Sequence, residues 1–154
     1  MKLPIQALTR RNALRLAATG AVAAIVAPAA VMATPDKVAE EIKKLFGDKK
    51  MLEGKIKLDL PSIAENGLVV PLNFEVESPM TDKDYVKSFH VFAEGNPNAG
   101  VAGFMFTPMI PKAAGAIRIR LAQTQNVVAV AEMSNGDLYT VRKEVKVTIG
   151  GCGG

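Results

Sequence analysis

Apolar and polar residues alternate along the chain in several short runs, and this period of two most limits the folds open to it. In residues 68–76, every second position is apolar (Leu68, Val70, Leu72, Phe74 and Val76), so these five residues share one face of an extended chain. The same alternation runs through residues 117–121 and 145–149. Such runs are typical of half-buried β-strands. The sequence therefore predicts sheets that each pack one face against a core.

Four further strands are predicted, at residues 55–60, 85–93, 101–106 and 126–133. Turn-forming sequences separate several of these runs, among them Gly95-Asn96-Pro97-Asn98 and Ser134-Asn135-Gly136-Asp137. About seven short strands at this spacing predict a mainly β fold, an immunoglobulin-like antiparallel β-sandwich. The chain has no Trp and one Cys, so the buried Trp and the cysteine bridge of antibody domains are missing and only the architecture is predicted.

One helix is predicted ahead of the strands, over residues 35–46. Pro35 suits its first turn and Gly47 suits its end. Its apolar residues recur at helical spacing and form one stripe, made of Val38, Ile42, Leu45 and Phe46. A helix this short is marginal alone, so we expect the stripe to pack on the sheets. Residues 34–149 are predicted to form this helix and the sandwich.

The first 33 residues have the composition of a cleaved export signal. Four basic residues and no acidic ones accompany an apolar stretch at residues 16–31. Arg10 and Arg11 lie in a segment that resembles the twin-arginine export motif, although Ala13 replaces the usual aromatic residue. Small residues favour cleavage after Ala33, with residues 27–29 as an alternative. An uncleaved anchor helix is disfavoured because the stretch is short and interrupted by Gly and Pro.

This assignment predicts a periplasmic protein with no membrane insertion after cleavage. It also changes the interpretation of the net charge of the chain. The chain has 19 Lys and Arg against 15 Asp and Glu. Removal of the four basic residues of the leader leaves 19 − 4 = 15 of each sign. A neutral mature chain gives no electrostatic reason to bind nucleic acid. One Cys and one His also exclude an internal disulfide and a Cys/His zinc site, and no cofactor motif is present.

The candidate chemistry lies at the C-terminus, in Gly150, Gly151, Cys152, Gly153 and Gly154. Glycine has no side chain to bury, so we expect a mobile, solvated arm over residues 150–154. Five residues span at most about 17 Å, which suits a thiol presented to another protein. Two functions of Cys152 fit these residues equally well. In one it is the reactive thiol of a carrier, and in the other it forms an intermolecular disulfide that dimerises a structural sandwich. No acid or base is evident beside the thiol, so a substrate carrier is favoured over a catalyst.

Other polar residues give weaker signals. His90 follows Ser88 on one strand face, but no orienting acid is identifiable, so a structural role is favoured over catalysis. Arg118 and Arg120 fit a solvated strand face better than an anion site. Aromatic residues fall on both faces of a predicted strand pair, residues 89–92 with residues 104–106, so one face is a candidate partner surface.

Taken together, the leader, the β-rich body and the terminal Gly-Gly-Cys-Gly-Gly resemble the SoxY family of thiosulfate-oxidation carriers. The resemblance extends to residues 95–97, 117–125 and 128–132. It implies an immunoglobulin-like fold, a periplasmic location and a SoxZ-like partner subunit in a heterodimer. It also implies that Cys152 carries the cargo and that the chain itself is neither an enzyme nor bound to a cofactor.

The resemblance further implies a cycle of partner enzymes. A haem enzyme would conjugate thiosulfate to Cys152 as an S-thiosulfonate. A hydrolase would then release sulfate and leave a persulfide, which a sulfur dehydrogenase would oxidise further. The glycines of the arm would supply reach and clearance at each of these enzymes.

Overall fold

The computed structural model describes residues 33–151. Nearly all of the predicted leader, with Arg10 and Arg11, lies outside the described residues, and so do Cys152, Gly153 and Gly154. The described part of the chain contains one helix and nine strands. No helix within it is long and apolar enough to cross a membrane.

Helix α1 spans Pro35–Phe46, as predicted. Thr34 caps its first turn, since the Thr34 side chain accepts a hydrogen bond from the Lys37 backbone N–H at 3.4 Å. Gly47 ends it with a φ of 77°, a left-handed conformation that glycine adopts without steric cost. Val38, Ile42 and Phe46 are buried, which confirms three members of the predicted stripe, whereas Leu45 is more than half exposed.

The strands that follow are short except for the last two. Their bounds are β1 (Met51–Glu53), β2 (Ile56–Asp59), β3 (Ile63–Asn66), β4 (Val70–Val76), β5 (Val86–Ala93), β6 (Gly100–Met105), β7 (Ala113–Ile119), β8 (Gln125–Met133) and β9 (Leu138–Ile149).

These strands form two sheets. The larger has the order β1-β9-β8-β5-β6, with β3 also paired to β9, and the smaller has the order β2-β4-β7. The buried residues of β4 and β7 face those of β5, β8 and β9 in one core. Phe74 of β4 stacks on Phe89 of β5 at the centre of this core, with ring centroids 3.9 Å apart. The sandwich predicted from the alternating pattern is therefore confirmed.

A second apolar cluster lies on the outer face of the larger sheet. Helix α1 packs Val38, Ile42 and Phe46 against Phe92 and Val128 there. The aromatic residues that predicted a partner surface on β5 are thus covered from both sides within the chain, Phe89 by the smaller sheet and Phe92 by the helix. The expectation that one of these faces meets a partner subunit is wrong for Phe89 and Phe92.

The structure also differs from the predicted strands in their number and in the bounds of β4, β7 and β9, the last of which begins at Leu138, seven residues before the predicted start. Strands β1 and β3 were not predicted, and both pair in parallel with β9, so the sandwich is not wholly antiparallel. Strand β4 begins at Val70, because Leu68 lies in the turn before it. Strand β7 begins at Ala113, four residues before the predicted start, because residues 113–116 continue the ladder with β4.

Candidate functional site

The candidate site is the point at which the chain leaves the sandwich on its way to Cys152. Strand β9 ends at Ile149, and Gly150 and Gly151 are the last described residues. We call Gly150 and Gly151 the arm root. Because Cys152 follows Gly151 directly, the position of the root sets where the thiol begins.

Three hydrogen bonds connect the end of β9 and the root with two other parts of the chain. The Gly67 N–H donates to the Ile149 carbonyl at 2.7 Å, and the Leu121 N–H donates to the Gly67 carbonyl at 2.8 Å. The Gly151 N–H then donates to the Leu121 carbonyl at 2.8 Å. Since Ile149 and Gly151 are joined through Gly150, these bonds close a ring, which we call the root clasp: Gly67, Leu121, Ile149 and Gly151.

Glycine is required in the clasp because of space. A Cβ built at Gly67 would lie 2.8 Å from the Gly151 nitrogen and still closer to the Leu121 carbonyl oxygen. A Cβ at Gly151 would fall among the backbone atoms of Gly67 and Leu68, and one at Gly150 would meet the Ala122 carbonyl. None of these glycines has a positive φ. Their lack of a side chain therefore allows three backbone segments to touch.

This arrangement differs from the sequence prediction for Gly150 and Gly151, which placed both in a mobile, solvated arm. Gly151 is buried, and its N–H is hydrogen-bonded to Leu121. The physical reason is that a residue without a Cβ is also the residue that another backbone can approach most closely. The predictions for Cys152, Gly153 and Gly154 concern residues outside the described part of the chain.

Asn96 supports the clasp from the side of Leu121. Its side-chain amide donates to the Arg120 carbonyl at 2.8 Å, and its side-chain oxygen accepts from the Ala122 N–H at 2.9 Å. Both contacts are to the immediate neighbours of Leu121. Asn96 is buried, so water has little access to its side chain. These two hydrogen bonds within the protein satisfy its polar atoms instead. Leu121 itself is fully buried and cannot shift without disturbing the core.

Gln125 completes this polar network. Its side-chain nitrogen donates to the Asn96 side-chain oxygen at 2.9 Å, and its oxygen accepts from the Gly95 N–H at 2.6 Å. The same nitrogen contacts the Gln123 carbonyl at 3.1 Å. No buried side-chain nitrogen or oxygen among the described residues is left without a partner. The sequence segments 95–97 and 117–125, which are far apart along the chain, thus meet beneath the arm root.

Three partly exposed apolar residues adjoin the clasp along the chain, and we call Leu68, Val69 and Ile149 the apolar rim. Leu68 and Val69 follow Gly67 in the turn between β3 and β4, and Ile149 lies on the strand to which Gly67 is hydrogen-bonded. These three side chains are between 47% and 67% exposed. Neighbouring exposed apolar residues are typical of surfaces that contact other proteins.

Sequence reasoning missed the roles of Gly67, Leu121, Asn96 and Gln125. The sequence pattern places Asn96 in a turn between two strands and does not indicate its buried hydrogen bonds. The signal for Gly67 was the Asn66-Gly67 pair, which is typical of a tight turn. Such a pair predicts local geometry and says nothing about a contact with residues more than fifty positions away.

His90 packs against the helix rather than against the clasp, and it has the structural environment that the sequence predicts. Its ring packs edge-on against Phe46 of α1, with centroids 5.3 Å apart, and Gly103 on β6 leaves room for it. Burial lowers the pKa of His90 below its ordinary value, and the charge of Glu132 raises it by less. Ser88 is buried on the same strand.

Arg118 and Arg120 are exposed, and no ion pair or side-chain hydrogen bond joins either of them to another described residue. With Asn96 and Pro97 they line an open groove of about 360 Å³ between β6 and β7. Residues 33–151 contain no group of three or more His, Cys, Asp or Glu side chains arranged to hold a metal ion.

Comparison with known proteins connects this geometry to a family. The family model described as sulfur oxidation protein SoxY matches residues 42–152. Among solved structures, the sulfur carrier protein SoxY from Chlorobium limicola f thiosulfatophilum is similar to this chain, with 33% sequence identity and a TM-score of 0.63. The match covers 74% of this chain and 98% of that one.

A more distant likeness shows the fold alone. The superoxide reductase (neelaredoxin) from Ignicoccus hospitalis matches with a TM-score of 0.54 and 19% identity, over 75% of this chain and 94% of that chain. No protein with a curated description matches.

Proposed function

The chain belongs to the SoxY family of sulfur oxidation proteins, and from this premise we propose that it carries sulfur as a covalent adduct on Cys152. The family gives the chain a carrier role in sulfur oxidation. The proposal adds the atom that holds the cargo and the nature of the cargo, which is a group derived from thiosulfate. It also adds a periplasmic location after export directed by Arg10 and Arg11.

The observation that carries the proposal is the extent of the family match. It begins within α1, runs through every strand and ends at Cys152, so the only Cys of the chain is its last matched residue. The clasp supports this reading, because it holds Gly151, the residue before Cys152, next to the partly exposed Leu68 and the end of β9.

The chemistry required of Cys152 is that of a nucleophile and leaving group. In conjugation, the Cys152 sulfur forms a bond to the outer sulfur of thiosulfate, the thiol proton passes to solvent and two electrons pass to the conjugating haem enzyme. In hydrolysis, one water is consumed, sulfate leaves and the second sulfur stays on Cys152 as a persulfide. A sulfur dehydrogenase then oxidises this outer sulfur.

The surroundings of the root support a carrier rather than a catalyst. In the described part of the chain, the groups that approach the root belong to Gly67, Leu68, Leu121 and Ala122, none of which titrates. General acid and base groups would therefore have to come from the partner enzymes. The rim of Leu68, Val69 and Ile149 is the surface that such enzymes would contact first.

A SoxZ-like subunit is the proposed permanent partner. The edge strand β6 and the connection to β7 support this part of the proposal, because Met105, Met109 and Ile110 expose apolar side chains there, Met109 to 92%. An edge strand also offers unpaired backbone groups to another chain. This surface is separate from the rim at the root, so one partner would not block the other.

Intact-mass measurement tests the proposal. The protein purified with its partner subunit is incubated with thiosulfate and the cognate conjugating enzyme, and the Cys152→Ser variant serves as the control. We expect one thiosulfate-derived adduct on the native chain and none on the variant. An unmodified mass, or a chain found only as a disulfide-linked homodimer on a non-reducing gel, would overturn the proposal in favour of the structural dimer.

A further inference from the structure

We propose that Arg118 and Arg120, which we call the arginine pair, form a docking surface for an acidic patch on the enzymes that act on the carrier. This inference rests on the proposed carrier function and adds to it the charge of the surface that those enzymes present. Both arginines are exposed, whereas Ile117 and Ile119, which alternate with them, pack towards the core. The pair therefore lies on the outer face of the smaller sheet, at the end of β7.

The arginine pair differs from the other cations of this sheet because it has no counter-charge. At the opposite end of the sheet, Lys57 forms an ion pair with Glu77 at 2.8 Å, and Lys112 lies 3.6 Å from Glu75. Neither arginine has a side-chain partner among the residues that the structure describes. Two residues on one strand face are about 7 Å apart, so the two positive charges repel each other. A negatively charged partner would relieve this repulsion.

The groove beside the arginine pair favours a protein over a small ion as that partner. None of the described residues that line this groove of about 360 Å³ is an Asp or a Glu. The groove is open, so a free oxoanion in it would stay in contact with water, which weakens its attraction to an exposed charge. A docking protein excludes this water and brings carboxylates, which match the planar fork of a guanidinium group.

The arginine pair also lies beside the apolar rim. Ile119, the residue before Arg120, pairs with Val70. Leu121, the residue after it, donates a hydrogen bond to the Gly67 carbonyl at 2.8 Å. The two rim residues between Gly67 and Val70 are therefore next to Arg120. Exposed apolar side chains with arginines at their margin have the composition of a protein interface, so one enzyme can contact both.

Steady-state kinetics of the conjugation reaction test this proposal. The chain with its partner subunit is compared, as substrate, with the double variant Arg118→Gln, Arg120→Gln. We expect kcat/KM for the carrier to fall about tenfold at low salt with kcat nearly unchanged, because the pair acts on the encounter with the enzyme. The difference should shrink to less than about twofold near 0.5 M salt, where surface charges are screened. A native kcat/KM at low salt would overturn the proposal.

A matched control removes the same charge elsewhere. Lys50 and Lys143 are exposed, have no side-chain partner among the described residues and do not line this groove. We expect the double variant Lys50→Gln, Lys143→Gln to keep kcat/KM within about twofold of the native value. Equal losses in the two double variants would overturn the proposal, because they would show an effect of net charge rather than of position.

Two further measurements test the other occupants of this surface. We expect inorganic sulfate to cause no saturable shift of the Arg118 and Arg120 side-chain NMR signals, and we expect the arginine variant to co-elute with the partner subunit. Sub-millimolar sulfate binding would replace the proposal with a small-anion site. Loss of co-elution would assign the pair to the permanent interface and overturn the proposal equally.

The outcome is distinct from that of the carrier function. At saturating carrier, the arginine variant should still acquire the thiosulfate-derived adduct, because the reacting thiol is unchanged. Absence of the adduct from the native chain would refute the carrier function. Equal kinetics of native chain and arginine variant, with the adduct formed on both, would refute only the docking surface.

Discussion

The two ends of the described chain are attached to the sandwich by different kinds of contact. At the N-terminal end, α1 is held by buried side chains, Val38, Ile42 and Phe46, packed on the larger sheet. At the C-terminal end, Gly150 and Gly151 have no side chains and are held by backbone hydrogen bonds and close backbone contact. Both ends are fixed, yet one depends on apolar area and the other on the lack of a Cβ.

The difference teaches how each end responds to substitution. Burial of apolar area is graded, so a smaller side chain at the helix loses stability in proportion to the atoms removed. Backbone contact has a threshold, because even one methyl group at Gly67 or Gly151 collides with neighbouring main chain. We therefore expect the helix to tolerate smaller side chains at a graded cost, and the root to tolerate only glycine without rearrangement.

The largest expected effect is at the helix. Phe46→Ala removes a buried ring that contacts the sheet and His90, so we expect the free energy of unfolding to fall by about 3–5 kcal/mol. Leu45→Ala, at the exposed neighbouring position, should change it by less than about 0.5 kcal/mol. Urea denaturation of both variants measures the difference. Equal losses would contradict the burial assigned to this face of α1.

A smaller loss is expected at the clasp. Gly67→Ala forces a methyl group against the Leu121 carbonyl and the Gly151 nitrogen, and such overpacking costs about 1–3 kcal/mol. Gly100→Ala has open space and should leave the free energy of unfolding unchanged or raise it by under about 1 kcal/mol. Thermal and urea unfolding of the pair compare the two. Should both glycines tolerate alanine equally, the threshold behaviour assigned to the root would be wrong.

The helix cap tests whether a single hydrogen bond matters at the N-terminal end. Thr34→Ala removes the acceptor for the Lys37 N–H and should lower the free energy of unfolding by about 1 kcal/mol. Thr34→Ser keeps the acceptor and is the control. Far-UV circular dichroism during urea titration follows both variants. A loss as large as that of Phe46→Ala would show that the cap, and not the apolar stripe, holds α1.

The smallest effect is a pH dependence at the junction of α1 and the sheet. Because burial lowers the pKa of His90 in the folded state, the unfolded chain takes up its proton first as the pH falls below about 6.5. Stability contributed by neutral His90 is therefore present above that pH and lost as the pH falls through the folded-state pKa. His90→Gln should flatten this part of the profile, as measured by urea midpoints between pH 5 and pH 8. An unchanged profile would exclude His90 as its source.

Much of the fold could be predicted from the sequence because its elements have strong local patterns. The predicted ends of α1 agree with the structure because the residues that begin and end a helix, here Thr34, Pro35 and Gly47, lie within one turn of those ends. Strands β4, β5 and β8 bury one or both of their faces. Their sequences therefore either alternate between apolar and polar residues or are apolar at most positions. Strands β1 and β3 have three and four residues and depend on pairing with β9, and a pattern this short does not differ from a loop.

The site could be predicted only in part. The Gly-Gly-Cys-Gly-Gly segment identified the thiol. Glycine, however, occurs both in mobile segments and where two backbones pack closely, and the neighbouring residues in the sequence do not distinguish these two cases. The choice at Gly150 and Gly151 is made by Gly67 and Leu121, which are distant in sequence. Asn96 is similar, since a turn residue and a buried network residue look alike until the segment at 120–122 is placed beside it.

Strand β9 has a consequence for how the chain acquires its structure. Among the described strands, β1 and β3 pair only with β9, which is the last strand to be synthesised. The nascent chain must therefore keep two early segments unpaired until β9 has been synthesised, and contacts of such high sequence separation form slowly. Completion of the larger sheet and closure of the clasp thus both wait for β9, so a molecule cut short before residue 138 would lack both.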